Sequence, residues 1–132
     1  MNEHITLGPV HHVALRVTQR DRSIAFYQSL FGFQVVAALP DVTILSNGSL
    51  ILGLRDQEQA ESRDRFDEFR VGLDHLSFAV ASREDLDRAI KTLDQRDVPH
   101  GEIEDLGSDF GLYVLALRDP DNIQLELTAT YR

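Results

Sequence analysis

Two histidines and one glutamate occupy positions from which they could together bind a metal ion. His12 and His75 each lie near the start of a segment with the alternating pattern of a β-strand, and Glu126 lies in the last such segment. Neutral imidazole and carboxylate groups are suitable ligands for divalent transition metals. A single histidine or glutamate of this kind is more often a solvated surface residue, so the residue types alone leave both interpretations open.

Strand parity separates these candidates from their apolar neighbours, because side chains alternate across a strand. The faces that carry His12, His75 and Glu126 otherwise hold small or polar residues (Ala14, Arg16, Ser77, Ala79, Gln124 and Thr128). The opposite faces are apolar (Val13, Leu15, Val17, Leu76, Phe78, Val80, Ile123, Leu125 and Leu127). We expect helices to cover the apolar faces and the candidate ligands to line a cavity. Parity assigns His11 to the helix-facing side, which disfavours it as a ligand.

The elements that position these residues are predicted twice in the order β-α-β-β-β. Strands are predicted over 10–17, 33–39, 42–45 and 50–54, and again over 73–80, 99–106, 111–117 and 123–129. The two histidines then stand at equivalent places in the first strand of each half. A duplication therefore explains most of the chain.

The predicted fold class is α+β, with paired βαβββ modules forming a curved, mostly antiparallel sheet. We expect one domain over 1–132, made of module 1 (8–56), a charged linker (57–72) and module 2 (73–130). The linker is predicted to contain at most one helical turn, near Phe66 and Phe69.

A helix is predicted between the first two strands of each module. In module 1, Asp21 is the candidate N-cap and Gly32 ends the helix, because glycine tolerates the left-handed conformation. In module 2, Ser82 is the candidate N-cap and Asp85 occupies the third helical position.

The composition restricts the partners and the compartment. The net charge is −9, which repels phosphate backbones and anionic lipids, so we expect neither nucleic acid nor a membrane as a partner. The chain has no cysteine, which excludes disulfides and thiolate chemistry. No apolar run approaches the length of a membrane span, and the N-terminus lacks the pattern of a signal peptide. We therefore expect a cytoplasmic protein.

The sequence resembles the vicinal oxygen chelate superfamily, which includes glyoxalase I, extradiol dioxygenases and bleomycin-binding proteins. In the first half the resemblance lies in His-His-Val-Ala-Leu-Arg-Val (11–17), Arg-Ser-Ile-Ala-Phe-Tyr (22–27) and Leu-Phe-Gly-Phe (30–33). In the second half it lies in Leu-Asp-His-Leu-Ser-Phe-Ala-Val (73–80) and Asp-Pro-Asp-Asn-Ile-Gln-Leu-Glu-Leu (119–127). The motifs cover nearly all of the chain.

The resemblance implies a metal site formed by His12, His75 and Glu126. Many members add a fourth ligand from the last strand of the other module. Aligning Asn47-Gly48 with Asp121-Asn122 places Leu52 at that position, so the fourth ligand is predicted to be absent. Two histidines and one carboxylate suit Fe(II) or Mn(II) and leave coordination positions open to a substrate.

Three ligands favour a metal-dependent enzyme that acts on a small molecule with vicinal oxygens, most like an extradiol-type dioxygenase. A lyase-like reaction stays open, as does the alternative of a bleomycin-type resistance protein that sequesters a natural product without turnover. Ala116 falls where related sites often carry a tyrosine, and Arg16 and Arg118 are candidate anion contacts. The candidate ligand-binding residues are Arg16, Phe33, Leu52, Phe110, Tyr113 and Ala116.

The sequence leaves open the role of His100 and the number of chains that form each site. His100 is either an acid–base group near the site or an exposed residue, and the exposed position is favoured. We expect a homodimer, as in family members of this length, and the ligands could then come from one chain or from two.

Overall fold

The computed structural model describes residues 3–59, 61 and 63–132, and those residues contain two βαβββ repeats, as the sequence predicts. The first repeat consists of β1 (Val13–Val17), α1 (Arg20–Phe31), β2 (Gln34–Ala38), β3 (Val42–Ser46) and β4 (Ile51–Asp56). The second consists of β5 (Leu76–Ala79), α2 (Arg83–Gln95), β6 (Glu104–Asp105), β7 (Leu112–Arg118) and β8 (Gln124–Thr130). Within the described residues, α1 and α2 lack the length and hydrophobicity that a membrane-spanning helix needs.

The chain divides into two compact units, Met1–Arg63 and Asp64–Arg132. The first unit holds a sheet of strand order β1-β4-β3-β2, and the second holds a sheet of order β5-β8-β7-β6. In each sheet the first and last strands of the repeat pair in parallel, and the other two pairs are antiparallel. The α+β class and the mostly antiparallel pairing are confirmed.

The core of the first unit lies between α1 and one face of its sheet. Tyr27 of α1 is fully buried, and the apolar strand residues of that face are buried with it (Leu15, Val17, Leu45, Leu52 and Leu54). Gly32 ends α1 with a φ of 74°, as expected for a left-handed C-terminal glycine. Asp21 is not the N-cap, since the extended Gln19 precedes the helix and Asp21 lies in its first turn.

The core of the second unit is built in the same way under α2. Leu86 and Leu93 of α2 are buried, as are the leucines on one face of the last two strands (Leu115, Leu117, Leu125 and Leu127). Truncating such a fully buried leucine to alanine costs about 2–5 kcal/mol. Ser82 and Asp85 form the reciprocal hydrogen bonds of a capping box, which confirms the predicted start of this helix.

The strand predicted over 99–106 is mostly interrupted, and only Glu104–Asp105 forms β6. The preceding residues still follow β7, because Pro99 O accepts from Arg118 N and Gly101 N donates to Ala116 O. Proline has no N–H to donate, so a regular ladder cannot start at Pro99. Beyond β6, Gly107 turns the chain with a φ of 89°.

The second part of the segment predicted as a linker is attached to the second unit. Phe66 N donates to Asp121 O at 2.9 Å, and the Asn122 side chain donates to Phe66 O at 3.0 Å. The helical turn predicted near Phe69 is absent, and the backbone there forms a non-helical turn in which Arg70 N donates to Asp67 O. This segment is therefore anchored to the β7–β8 turn.

Candidate metal centre

His75 and Glu126 lie close enough to bind the same metal ion. His75 directly precedes β5, and β5 pairs with β8 so that Ser77 stands opposite Glu126. The Nε2 atom of His75 is 3.6 Å from the Oε1 atom of Glu126. Two ligand atoms that each lie about 2.0–2.2 Å from one ion are separated by about 3–4 Å. The separation of these two side chains fits that requirement.

Two hydroxyl groups support the Glu126 carboxylate on the same face of the sheet. Thr128 Oγ1 donates to Glu126 Oε1 at 3.3 Å, and Ser77 Oγ lies 2.5 Å from Thr128 Oγ1. Ala116 of β7 pairs with Glu126 and adds only a methyl group beside it. Hydrogen bonds of this kind orient a carboxylate ligand, and the small neighbour leaves space next to it.

His12 lies in the first unit, directly before β1, and its side chain is exposed. Its Nδ1 atom is 2.9 Å from Nδ1 of His11. His11 is exposed as well, so the parity argument that assigned it to the helix-facing side is wrong. Parity fails here because β1 begins only at Val13.

No group of three or more His, Asp or Glu side chains in the described part of the chain is arranged to hold a metal ion. The two candidate ligands that lie together belong to the second unit, and His12 belongs to the first. The complete triad of His12, His75 and Glu126 therefore stays a prediction.

Gly53, rather than Leu52, occupies the position in the first unit that Glu126 occupies in the second. Ala14 pairs with Gly53 in the parallel strands β1 and β4, as Ser77 pairs with Glu126 in β5 and β8. The sequence alignment was wrong by one residue because residues 47–50 link β3 to β4, whereas residues 119–123 link β7 to β8. Glycine has no side chain, so this position supplies no fourth ligand.

The residues expected to line an apolar cleft are not all available to a ligand. Phe33 and Leu52 are 2% and 0% exposed in the core of the first unit, contrary to that expectation. Tyr113 packs against Tyr131 and under the Arg83 guanidinium at the start of α2, on the sheet face opposite Glu126. Phe110 is 72% exposed.

The two candidate anion contacts differ in their availability. Arg16 is exposed and donates a hydrogen bond to the backbone oxygen of Asp56 at 2.7 Å. Arg118 is held by both carboxylate oxygens of Glu68, at 2.8 and 2.7 Å. This pairing lowers the pKa of Glu68 to about 2 and raises the pKa of Arg118. Arg118 therefore anchors the segment around Glu68.

His100 is not exposed, and the hydrogen-bond partners of its ring are Asp94 and Gly101 rather than a candidate ligand. Its side chain is 17% exposed, its Nε2 lies 2.6 Å from Asp94 Oδ1, and its Nδ1 lies 2.6 Å from Gly101 O. Both partners are acceptors, so both hydrogen bonds form together only when the imidazole is charged and donates from both nitrogens. The Asp94 hydrogen bond is the main cause of its raised pKa.

Comparison with known proteins gives a consistent picture. Residues 10–127 match the model of the Glyoxalase/Bleomycin resistance protein/Dioxygenase superfamily. The uncharacterized protein YwkD of Bacillus subtilis is 30% identical over 130 residues, which cover 92% of this chain and 96% of that protein.

Solved structures share this fold. A glyoxylase/bleomycin resistance protein/dioxygenase domain from Frankia sp. EAN1pec is 32% identical with a TM-score of 0.80, covering 95% of this chain and 93% of that one. Lactoylglutathione lyase from Agrobacterium tumefaciens is 21% identical with a TM-score of 0.71, covering 94% and 96% respectively. At that identity the likeness to the lyase concerns the fold alone.

Proposed function

The chain belongs to the Glyoxalase/Bleomycin resistance protein/Dioxygenase superfamily, and we propose that it is a metal-dependent enzyme acting on a small molecule with vicinal oxygens. In this proposal His12, His75 and Glu126 hold one divalent ion, with Fe(II) or Mn(II) favoured. The observation that carries the proposal is the 3.6 Å separation between His75 Nε2 and Glu126 Oε1 on a face of small and polar residues.

The donor set fits a divalent transition metal. Imidazole nitrogen and carboxylate oxygen are suitable ligands, and the hydroxyl of Thr128 holds the Glu126 oxygen in place. When bound, the ion would act as a Lewis acid toward two substrate oxygens and as a template that fixes their position.

The most specific form of the proposal is an extradiol-type dioxygenase. Gly53 leaves the set at three protein ligands, and a three-ligand site has room for a bidentate substrate and one further small molecule. Ala116 beside Glu126 leaves space for the substrate ring. The exposed guanidinium of Arg16 is the proposed contact for an anionic group on the substrate, since a guanidinium has five N–H donors and Asp56 O accepts from Nη1.

The alternative of drug sequestration is less well supported by this structure. It required an apolar cleft, but Phe33 and Leu52 are buried and Tyr113 lies on the helix-covered face. Phe110 keeps a large exposed aromatic surface that a planar ligand could contact. Sequestration would give tight binding of an aromatic natural product without conversion.

Assembly is part of the proposal. A homodimer could form each site from His12 of one chain and His75 with Glu126 of the other. Light scattering of the purified protein tests this point, and a monomer at all concentrations would contradict it.

Anaerobic reconstitution followed by oxygen consumption tests the proposed activity. Protein prepared without a histidine tag is loaded with Fe(II) and mixed with a panel of catechols and other vicinal diols in aerated buffer. We expect oxygen uptake with ring opening of one compound class in the wild type and in Glu104→Ala, and none in Glu126→Ala. Glu104 is a matched control because it is an exposed carboxylate in β6. Metal-loaded protein that binds an aromatic compound tightly without consuming oxygen would overturn the proposal.

A further inference from the structure

The residue directly before each candidate metal histidine contacts the same atom of its ring. Asp74 Oδ1 lies 2.7 Å from Nδ1 of His75, and His11 Nδ1 lies 2.9 Å from Nδ1 of His12. Both pairs precede the first strand of their repeat. The contact is thus repeated in the two units, with a carboxylate in one and an imidazole in the other.

We propose that Asp74 and His11 are positioning residues that fix the tautomer and the ring orientation of His75 and His12. The inference rests on the proposed metal function of these two histidines. Asp74 and His11 do not bind the metal themselves in this proposal, and they act through the histidines that do.

The chemistry of the Asp74–His75 pair determines which ring nitrogen is available. A carboxylate oxygen only accepts hydrogen bonds, so the hydrogen of neutral His75 resides on Nδ1. The lone pair is then on Nε2, the nitrogen that lies 3.6 Å from Glu126 Oε1. A histidine that binds metal through one nitrogen commonly donates the other N–H to a carboxylate.

Asp74 is itself held in place by hydrogen bonds. This support distinguishes the Asp74–His75 pair from a chance contact between two surface residues. The side-chain amide of Gln124 donates to Asp74 Oδ1 at 3.1 Å and to the backbone oxygen of Asp74 at 3.2 Å. Gln124 lies in β8, two residues from Glu126 on the same strand face. One strand therefore supplies both the carboxylate ligand and the support for the residue that orients the histidine.

The His11–His12 pair achieves the same result with a weaker partner. If His12 presents Nε2, its Nδ1 hydrogen is donated to Nδ1 of His11, whose own hydrogen is then on Nε2. The two rings are nearly perpendicular, at 87°. A neutral acceptor gives a weaker hydrogen bond than a carboxylate, so His12 is the less firmly held of the two.

Nitrogen-15 NMR of the metal-free protein tests the positioning role independently of metal binding. At alkaline pH we expect His75 to be the Nδ1–H tautomer in the wild type and in Asp109→Ala, a control that removes an exposed carboxylate elsewhere. In Asp74→Ala we expect a shift toward the Nε2–H tautomer, and Asp74→Asn should retain much of the wild-type tautomer because its amide oxygen still accepts. An unchanged His75 tautomer in Asp74→Ala would overturn the proposal.

Titration of the same variants with Mn(II) separates failure of this inference from failure of the proposed function. We expect Asp74→Ala to weaken binding about 10–100-fold, and His11→Ala to weaken it by less, with His11→Asn restoring part of the affinity. Wild-type protein that binds no Mn(II) would contradict the proposed function, while the NMR result would still decide the positioning role. Unchanged affinity in Asp74→Ala, with the wild type binding normally, would contradict the positioning role alone.

Discussion

Gly53 in β4 stands at the position that Glu126 holds in β8, since the two residues have equivalent partners in β1 and β5. A Cβ atom at position 53 would make ordinary contacts of 3.5 Å with Ala14 and 3.6 Å with Val42. The backbone of Gly53 is not in the left-handed region, so a residue with a Cβ atom causes no backbone strain there. A fourth ligand is therefore missing at position 53 because glycine has no side chain, and not because the backbone there excludes one.

The first prediction follows from this equivalence. Gly53→Glu adds a carboxylate at the position where the other unit has the proposed metal ligand Glu126, and we expect tighter binding of Mn(II) than in the wild type. Gly53→Ala is the matched control, because it fills the space without a ligand and should leave metal affinity unchanged. Calorimetric titration measures both, and equal affinities in the two variants would count against the equivalence of the sites.

The second prediction concerns the buried hydroxyl of Ser23 in α1. Its Oγ atom is buried and has no hydrogen-bond partner among the residues that the structure describes, which is unfavourable for a polar group. We expect Ser23→Ala to raise the free energy of unfolding by about 1 kcal/mol, measured by urea denaturation. Ala25→Ser on the exposed side of the same helix measures the effect of helix propensity alone. A destabilised Ser23→Ala protein would show that the Ser23 hydroxyl makes a stabilising hydrogen bond.

The third prediction concerns the pH dependence that His100 confers. Its folded-state pKa is raised, mainly by the hydrogen bond to Asp94. The contribution of His100 to the free energy of unfolding is therefore fully present below the unfolded-state pKa near 6.5. That contribution is lost as the pH rises through the folded pKa. We expect His100→Gln to lose about 1 kcal/mol of stability in mildly acidic buffer and less in alkaline buffer. The same loss at both pH values would contradict the role of the charged imidazole.

The fourth prediction concerns the ion pair between Glu68 and Arg118. The Arg118 hydrogen bond lowers the pKa of Glu68 to about 2. The contribution of Glu68 to the free energy of unfolding is therefore present above its ordinary pKa of 4.5 and is lost as the pH falls toward 2. We expect Glu68→Gln to denature at lower urea concentration than the wild type at neutral pH, with the difference vanishing in strong acid. Glu102→Gln, which removes an exposed carboxylate, should have no such effect. An equal shift in both variants would indicate a general charge effect.

Much of the fold could be predicted because it depends on local patterns. The alternation of Leu125 and Glu126 assigned their faces correctly, and Ser82 with Asp85 marked the start of α2. Asp21 also fitted the capping pattern, but Gln19 precedes the helix without a side-chain cap. In this chain the helix start was predicted correctly where both partners of a capping box are present.

The remaining errors concern features that no local pattern encodes. The equivalence of Gly53 with Glu126 depends on two turns of different length, residues 47–50 and 119–123. The pairing of Glu68 with Arg118 joins residues 50 positions apart. The burial of Phe33 depends on its contact with Tyr27 in the core, and an apolar residue beside a strand could equally face a ligand. Such relationships are fixed by tertiary packing.

Metal stoichiometry in a set of matched variants tests the central claim most directly. Wild-type protein is titrated with Mn(II) or anaerobic Fe(II), alongside His12→Ala, His75→Ala and Glu126→Ala, with His4→Ala as a control that removes an exposed histidine outside the site. We expect one ion per chain in the wild type and the control, and a loss of affinity greater than about 100-fold in each of the other three. Wild-type affinity in any one of those three variants would contradict a site shared by His12, His75 and Glu126.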